Sequence, residues 1–166
     1  SPEKEKILVK RLSTIKCRGP DDTQYASIGG KFFGFHRLKI NDLSSRGNQP
    51  FLKEKCVLMC NGEIYNHREL EKEFGIKEDS KSDCEVIIHL YRKIGIEKTV
   101  KKLDGVFAFV LFDMESGEVF AARDIVGVRP LFWGVDGKKV VFCSEAKGLE
   151  GCSNVLPFVG GQIWSS

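Results

Sequence analysis

Leu8, Leu12 and Ile15 recur at i, i+4 and i+7 among lysines and glutamates, which predicts an amphipathic helix over 3–16. Arg18-Gly19-Pro20-Asp21 carries strong breakers and ends it. The next apolar segment, 32–40, reads as a strand, and a loop rich in Ser, Asn and Gly follows from Asn41 to Pro50. A second strand is predicted over 56–61 and a short helix over 67–74. Ser82-Asp83-Cys84-Glu85 has the spacing of a capping box, with Ser82 as N-cap and Glu85 three residues on. It opens a helix with Ile87, Leu90, Tyr91 and Ile94 on one face, closed by Gly95, and a further helix fits 96–102.

The pattern then changes. Gly105-Val106-Phe107-Ala108-Phe109-Val110-Leu111-Phe112 is a nearly continuous apolar run between Asp104 and Asp113. It is short and rich in Val and Phe, which favours a strand; its lack of alternation means burial on both faces. Strands also fit 118–123, 130–135, 139–144 and 161–165, with Glu115-Ser116-Gly117 and Asp136-Gly137 as hairpin turns. Helices combined with short hairpins give an α+β domain. A strand covered on both faces requires sheets stacked on each other and helices outside them, a four-layer sandwich.

The chain has 166 residues, enough for one domain over 1–166 with a real core. Lys and Arg total 26 against 23 Asp and Glu, and the signs are interspersed, so no basic stripe points to nucleic acid. No apolar run reaches the roughly 18 residues that span a membrane, and no secretory signal stands out. The six cysteines, at 17, 56, 60, 84, 143 and 152, include no Cys-x-x-Cys pair and no zinc-finger spacing. Most sit in apolar runs, as reduced thiols of a cytoplasmic protein do. His36, His67 and His89 form no triad or metal set in the sequence.

The densest chemistry lies at Asn61-Gly62-Glu63-Ile64-Tyr65-Asn66-His67. An amide side chain, an unobstructed backbone N–H and a carboxylate stand on consecutive positions at a strand end, where loops build sites. Such a group can bind a small amino acid and stabilise an oxyanion in one place. The plainer reading of Asn-Gly is a hairpin turn.

This heptapeptide resembles the glutaminase domain of asparagine synthetases, a class II glutamine amidotransferase. The same family's segments follow in order: Arg18-Gly19-Pro20-Asp21, Phe35-His36-Arg37-Leu38 with Gln49-Pro50, Ser82 to Ile87, Leu103 to Phe109, Arg123-Asp124, Gly127 to Phe132, and Ser144 to Leu149. The wording at 33–38 and 124–132 is nearest to eukaryotic-type members. The resemblance covers about residues 5 to 165 and implies the N-terminal-nucleophile hydrolase fold, an αββα sandwich.

It also implies roles. In that family an N-terminal cysteine thiolate attacks the glutamine amide, with its own α-amine as base. Asn61, through its side-chain N–H, and Gly62, through its backbone N–H, form the oxyanion hole. Arg37 grips the glutamine α-carboxylate with its guanidinium fork, where an isolated arginine reads as a surface strand residue. Leu38 stands beside it, and the backbone of Lys39, Ile40 and Asn41 lines the same pocket or is plain strand. Glu63 and Asp83 face the substrate end, Asp83 accepting from the α-ammonium, although a carboxylate at a helix start also serves the helix dipole. Arg18 and Asp21 hold a turn, and Arg123, Asp124 and Glu145 hold loops and the contact with a second domain.

The resemblance implies glutamine and a C-terminal synthetase domain of the same protein as partners, with no nucleic acid or membrane, and leaves a homodimer open. It implies no metal or cofactor in this domain; ATP and Mg belong to the synthetase domain, where aspartate is activated and takes up the ammonia. Family members begin Cys-Gly-Ile, and this chain begins Ser1-Pro2-Glu3. The nucleophile is therefore absent from the sequence as written, and these residues by themselves are expected to be inactive. Cys60 points away from Asn61 by strand alternation, and Cys84 is turned about 100° from Asp83 on a helix, so neither substitutes. The alternatives are a relative that lost the nucleophile and binds glutamine without hydrolysis, or is purely structural, and a glutaminase that serves another acceptor.

Overall fold

The computed structural model describes residues 2–38, 47–77 and 80–166. Its helices are α1 (Pro2–Ser13), α2 (His67–Phe74), α3 (Val86–Ile94) and α4 (Ile96–Lys102). Its strands are β1 (Asp22–Ile28), β2 (Lys31–Arg37), β3 (Phe51–Lys53), β4 (Cys56–Ile64) and β5 (Gly105–Asp113), then β6 (Val119–Arg123), β7 (Phe132–Asp136), β8 (Lys139–Cys143), β9 (Ser153–Pro157) and β10 (Ile163–Ser165).

The apolar run at 105–112 is β5, the middle strand of a five-stranded antiparallel sheet in the order β10-β6-β5-β4-β3. It is covered on both faces, as the unbroken apolar pattern requires. On one face Phe107, Phe109 and Leu111 pack with Leu58 and Ile64 of β4 under Val86, Ile87 and Leu90 at the head of α3. On the other, Ala108 and Val110 meet Trp133 and Phe142 of the sheet β8-β7-β9, with Leu131 just before β7 and Phe158 just after β9. Beside that contact, Phe33 of the β1-β2 hairpin packs on Val57 and Phe112. Helix α1 closes the outside, its Leu12 lying where a side chain at Gly34 of β2 would have to go. Helices, sheet, a second sheet layer and a helix make the expected four layers.

Local chemistry explains where the reading shifts. The first helix stops at Ser13, short of residue 16, because Ser13 Oγ and Thr14 Oγ1 donate back to the carbonyls of Lys10 and Arg11 at 2.6 and 2.7 Å. The strand predicted over 32–40 runs over Lys31–Arg37; Lys39 and Ile40 lie outside the described residues. The strand predicted over 56–61 continues to Ile64, so Asn61-Gly62 is paired with Ala108 and Phe107 and is no hairpin turn. Strands β1, β3 and β9 were not predicted. β9 is exposed throughout, β1 is mostly exposed and β3 has three residues, so none leaves an apolar signature.

The capping box is a correction. Ser82 makes no side-chain cap bond. Glu85 is fully buried, where Lys53 Nζ and Ser80 Oγ donate to its carboxylate and His89 Nε2 lies 3.5 Å away. A charge taken out of water demands partners of this kind, and that need overrides the local reach back to Ser82.

Candidate functional site

Strand alternation sorts the site. On β2, Phe33 faces the five-stranded sheet and Gly34 faces α1, which puts Arg37 on the sheet side. On β4, Cys56, Leu58, Cys60 and Ile64 face the helices, which puts Asn61 and Glu63 on the side of β2. Arg37 and Asn61 therefore project into the same inter-sheet space from opposite walls.

Asn61 Nδ2 is buried there and has no hydrogen-bond partner among the described residues. It borders a cavity of about 200 Å³. Met59, Asn61, Ala108 and Val110 form the floor, Gly34 and Phe35 of β2 one wall, Phe142 and Cys143 of β8 the other, and Leu12 of α1 the roof. β2 pairs only with β1, and β8 only with β7, among the described strands. The cavity is thus a slot between two strand edges.

The edge of β4 that faces β3 supplies the second donor. Pairing with β3 stops at Phe51↔Leu58. Beyond it, the N–H of Cys60 donates to Gln49 Oε1 at 2.6 Å and the N–H of Ile64 donates to Asp83 Oδ2 at 2.6 Å. Backbone groups on a strand alternate in direction, so the N–H of Gly62 points out of this same edge, between the two that are taken. A side chain at Gly62 would meet the carbonyl oxygen of Val106 at 2.3 Å, and one at Gly105 that of Glu63 at 2.2 Å. Glycine at both positions is what lets β4 and β5 cross closely at this end.

The carboxylates have partners that the sequence did not reveal. Glu63 Oε1 accepts from Arg129 Nη2 at 3.2 Å. Asp83, 8% exposed, spends one oxygen on the Ile64 N–H; a carboxylate keeps further lone pairs for an ammonium. Arg37, 6% exposed, donates to Asn48 Oδ1, and Asn48 Nδ2 donates to Asp22 Oδ2 at 2.8 Å. Leu38 is exposed beyond the end of β2. Lys39, Ile40 and Asn41 lie outside the described residues.

A sequence profile of the glutamine amidotransferase domain family matches residues 1–159. The chain belongs to that family. This amidotransferase domain is 48% identical over 153 residues to the glutamine-hydrolysing asparagine synthetase of Bos taurus and 47% identical to that of Homo sapiens. Each alignment covers 86% of this chain and 27% of the relative, so the chain spans about a quarter of the length of the curated relatives it matches. Among solved structures, a glutamine phosphoribosylpyrophosphate amidotransferase from B. subtilis superposes with a TM-score of 0.68 at 25% identity, covering 80% of this chain and 32% of the other. An allosteric regulatory enzyme of purine biosynthesis superposes with 0.75 at 22% identity, over 96% and 44%. The fold is accordingly the N-terminal-nucleophile type, an αββα sandwich.

Within this amidotransferase domain the remaining motif residues hold loops. Arg123 donates to the carbonyls of Arg129, Phe158 and Gly127 at 2.6, 2.6 and 2.5 Å. Burial by itself raises the Asp124 pKa. Hydrogen bonds from the N–H groups of Val128, Phe107, Arg129 and Gly127 outweigh that and hold the carboxyl below its ordinary range. Because Phe107 is also the partner of Gly62, Asp124 ties the 124–129 loop to the Asn61-Gly62 end of β4 and brings Arg129 to Glu63. Arg18 meets Glu145 at 3.5 Å beside the slot. Asn48, Gln49 and Arg129 are the site residues that sequence reasoning missed. Gln49 and Arg129 stood inside recognised motifs, and the available signal was a polar residue next to a proline in each, Gln49-Pro50 and Arg129-Pro130.

Proposed function

We propose that this domain binds glutamine and releases its amide as ammonia for an asparagine synthetase, which forms asparagine from aspartate and ATP. The carrying observation is the buried, unpartnered Nδ2 of Asn61 beside the outward Gly62 N–H. Leaving a buried donor unpaired costs about 1–3 kcal/mol, and two convergent donors repay it when an oxyanion forms between them. The identity to asparagine synthetases supports the choice of acceptor.

In this reading an extended segment carrying an N-terminal cysteine lies in the slot, between the edges of β2 and β8. Its thiolate attacks the glutamine Cδ, and the carbonyl oxygen becomes the oxyanion held by Asn61 and Gly62. The cysteine's own α-amine has taken the thiol proton; the tetrahedral adduct collapses, the C–N bond breaks, and the nitrogen takes that proton back from the cysteine's α-ammonium and leaves as ammonia. Water then cleaves the thioester to glutamate and free thiol. Arg37 holds the glutamine α-carboxylate, Asp83 accepts from the glutamine α-ammonium, and Glu63 faces the same substrate. ATP and Mg act in a synthetase domain, not in the residues that bind glutamine. The working location is cytoplasmic; among the described residues no helix is long and apolar enough to cross a membrane.

The test is glutamate release from glutamine by the full-length natural protein. Hydrolysis that a thiol-alkylating glutamine analogue abolishes is the expected result. Calorimetric binding of glutamine without hydrolysis replaces the proposal with a sensing role, and neither binding nor hydrolysis leaves only a structural one.

A further inference from the structure

The chain entering β3 delivers two neighbouring amides to two separate parts of the site. Asn48 lies between Arg37 and Asp22, accepting from the first and donating to the second. Gln49, 7% exposed, spends both ends of its amide on one residue of β4. Its Nε2 donates to Cys60 O at 2.9 Å, and its Oε1 accepts the Cys60 N–H at 2.6 Å. The β3 ladder has its last pair at Phe51↔Leu58, so the Gln49 side chain extends that ladder by one step in place of a backbone.

We propose that Asn48 and Gln49 are a positioning pair that sets the span between the two ends of the glutamine site. This rests on the glutamine-binding reading above. Asn48 fixes the guanidinium of Arg37. Gln49 fixes the peptide from which the Asn61 side chain and the Gly62 N–H follow. Because the two residues are adjacent in the chain, the carboxylate grip and the oxyanion donors are referenced to one peptide bond. Neither touches substrate; each acts through another residue. Without Gln49 the N–H and C=O of Cys60 lose both partners in a buried place, and this edge of β4 keeps the Asp83–Ile64 bond beyond it. A displacement of about 1 Å at an oxyanion hole can cost on the order of a hundredfold in rate.

The experiment is steady-state glutamine hydrolysis by the full-length protein, wild type and four variants, with a thermal melt of each. Asn48→Ala is expected to raise the glutamine KM about tenfold with kcat nearly unchanged, the signature of lost ground-state binding. Asn48→Asp keeps an acceptor for Arg37 and recovers most of that loss. Gln49→Leu is expected to lower kcat roughly ten- to hundredfold with KM nearly unchanged, because the disturbance reaches the oxyanion donors. Gln49→Glu keeps the acceptor for the Cys60 N–H and falls between; it carries the test if Gln49→Leu does not fold. A purely structural role produces the same pattern at both positions, activity falling only with the folded fraction. That result, or unchanged kinetics, overturns the positioning pair while wild-type hydrolysis upholds the glutamine reading. A wild type that does not hydrolyse glutamine removes the reading and the pair together.

Discussion

On one face of β4, Cys56, Leu58, Cys60 and Ile64 lie under α2 and α3 in a continuous apolar layer. On the other face of the same strand, Val57, Met59 and Asn61 meet two separate small sheets with a slot between them, and Glu63 meets Arg129. The first face is closed over residues such as Leu58, Ile87 and Leu90, which are fully buried, each contributing about 1.5–3 kcal/mol. The second carries an orphaned amide donor that opposes folding by about 1–3 kcal/mol. Alternation of side chains lets one strand do both: the helix-covered face supplies the stability that offsets a donor held ready on the slot face.

If that division holds, the two faces respond independently. Leu58→Ala on the closed face is expected to cost about 2–5 kcal/mol in urea unfolding of the full-length protein, with an unchanged glutamine KM for the folded fraction. A moved KM breaks the division. Asn61→Ala on the slot face is expected to reduce kcat by about 10²–10³, with urea stability unchanged or higher because a buried orphan is removed. A fall in stability with kcat means the amide is part of the packing.

The pH dependence of the closed face gives a smaller effect. The Glu85 carboxylate, by hydrogen bonding to His89, raises the His89 pKa above its ordinary 6.5; burial opposes this and Glu54 adds to it. The shift is upward, so its stabilisation is complete below about pH 6.5, the unfolded value, and is lost as pH rises through the shifted value. A shallow decline of urea midpoints through that range, flattened in His89→Gln, is expected, with the kcat profile of glutamine hydrolysis unmoved.

The legibility of the sequence followed the same division. The unbroken run at 105–112 revealed a strand covered on both sides, and with it the layering, because burial leaves its mark directly on residue type. Cys56 and Cys60 fell on one face as their spacing requires. Glu85 misled because a glutamate three residues after a serine looks alike whether it caps a helix or sits buried on Lys53. β9 escaped because an exposed strand has no apolar signature. At the site, Asn61 and Arg37 were legible as motif residues. Gln49 stood in a motif too, but its role was not legible, since it depends on where β3 ends relative to β4, a long-range register that no local pattern encodes. The role of Arg129 stayed hidden for a like reason, since its contact with Glu63 depends on the Asp124 clamp on the 124–129 loop.

The thiols of this fold have a consequence for chemical labelling. Burial pushes Cys56 up to about 11 and raises Cys143 and Cys152 as well, while Cys60 and Cys84 are covered by the core. Reagents that hunt thiolates react slowly where the thiol pKa is raised and do not reach sulfurs covered by the core. Cys17, with Lys147 Nζ 3.7 Å from its sulfur, is the most exposed of the six, while Cys143 and Cys152 are half-buried. A fluorescent electrophile is therefore expected to mark Cys17 first, with Cys143 and Cys152 following only as the pH rises.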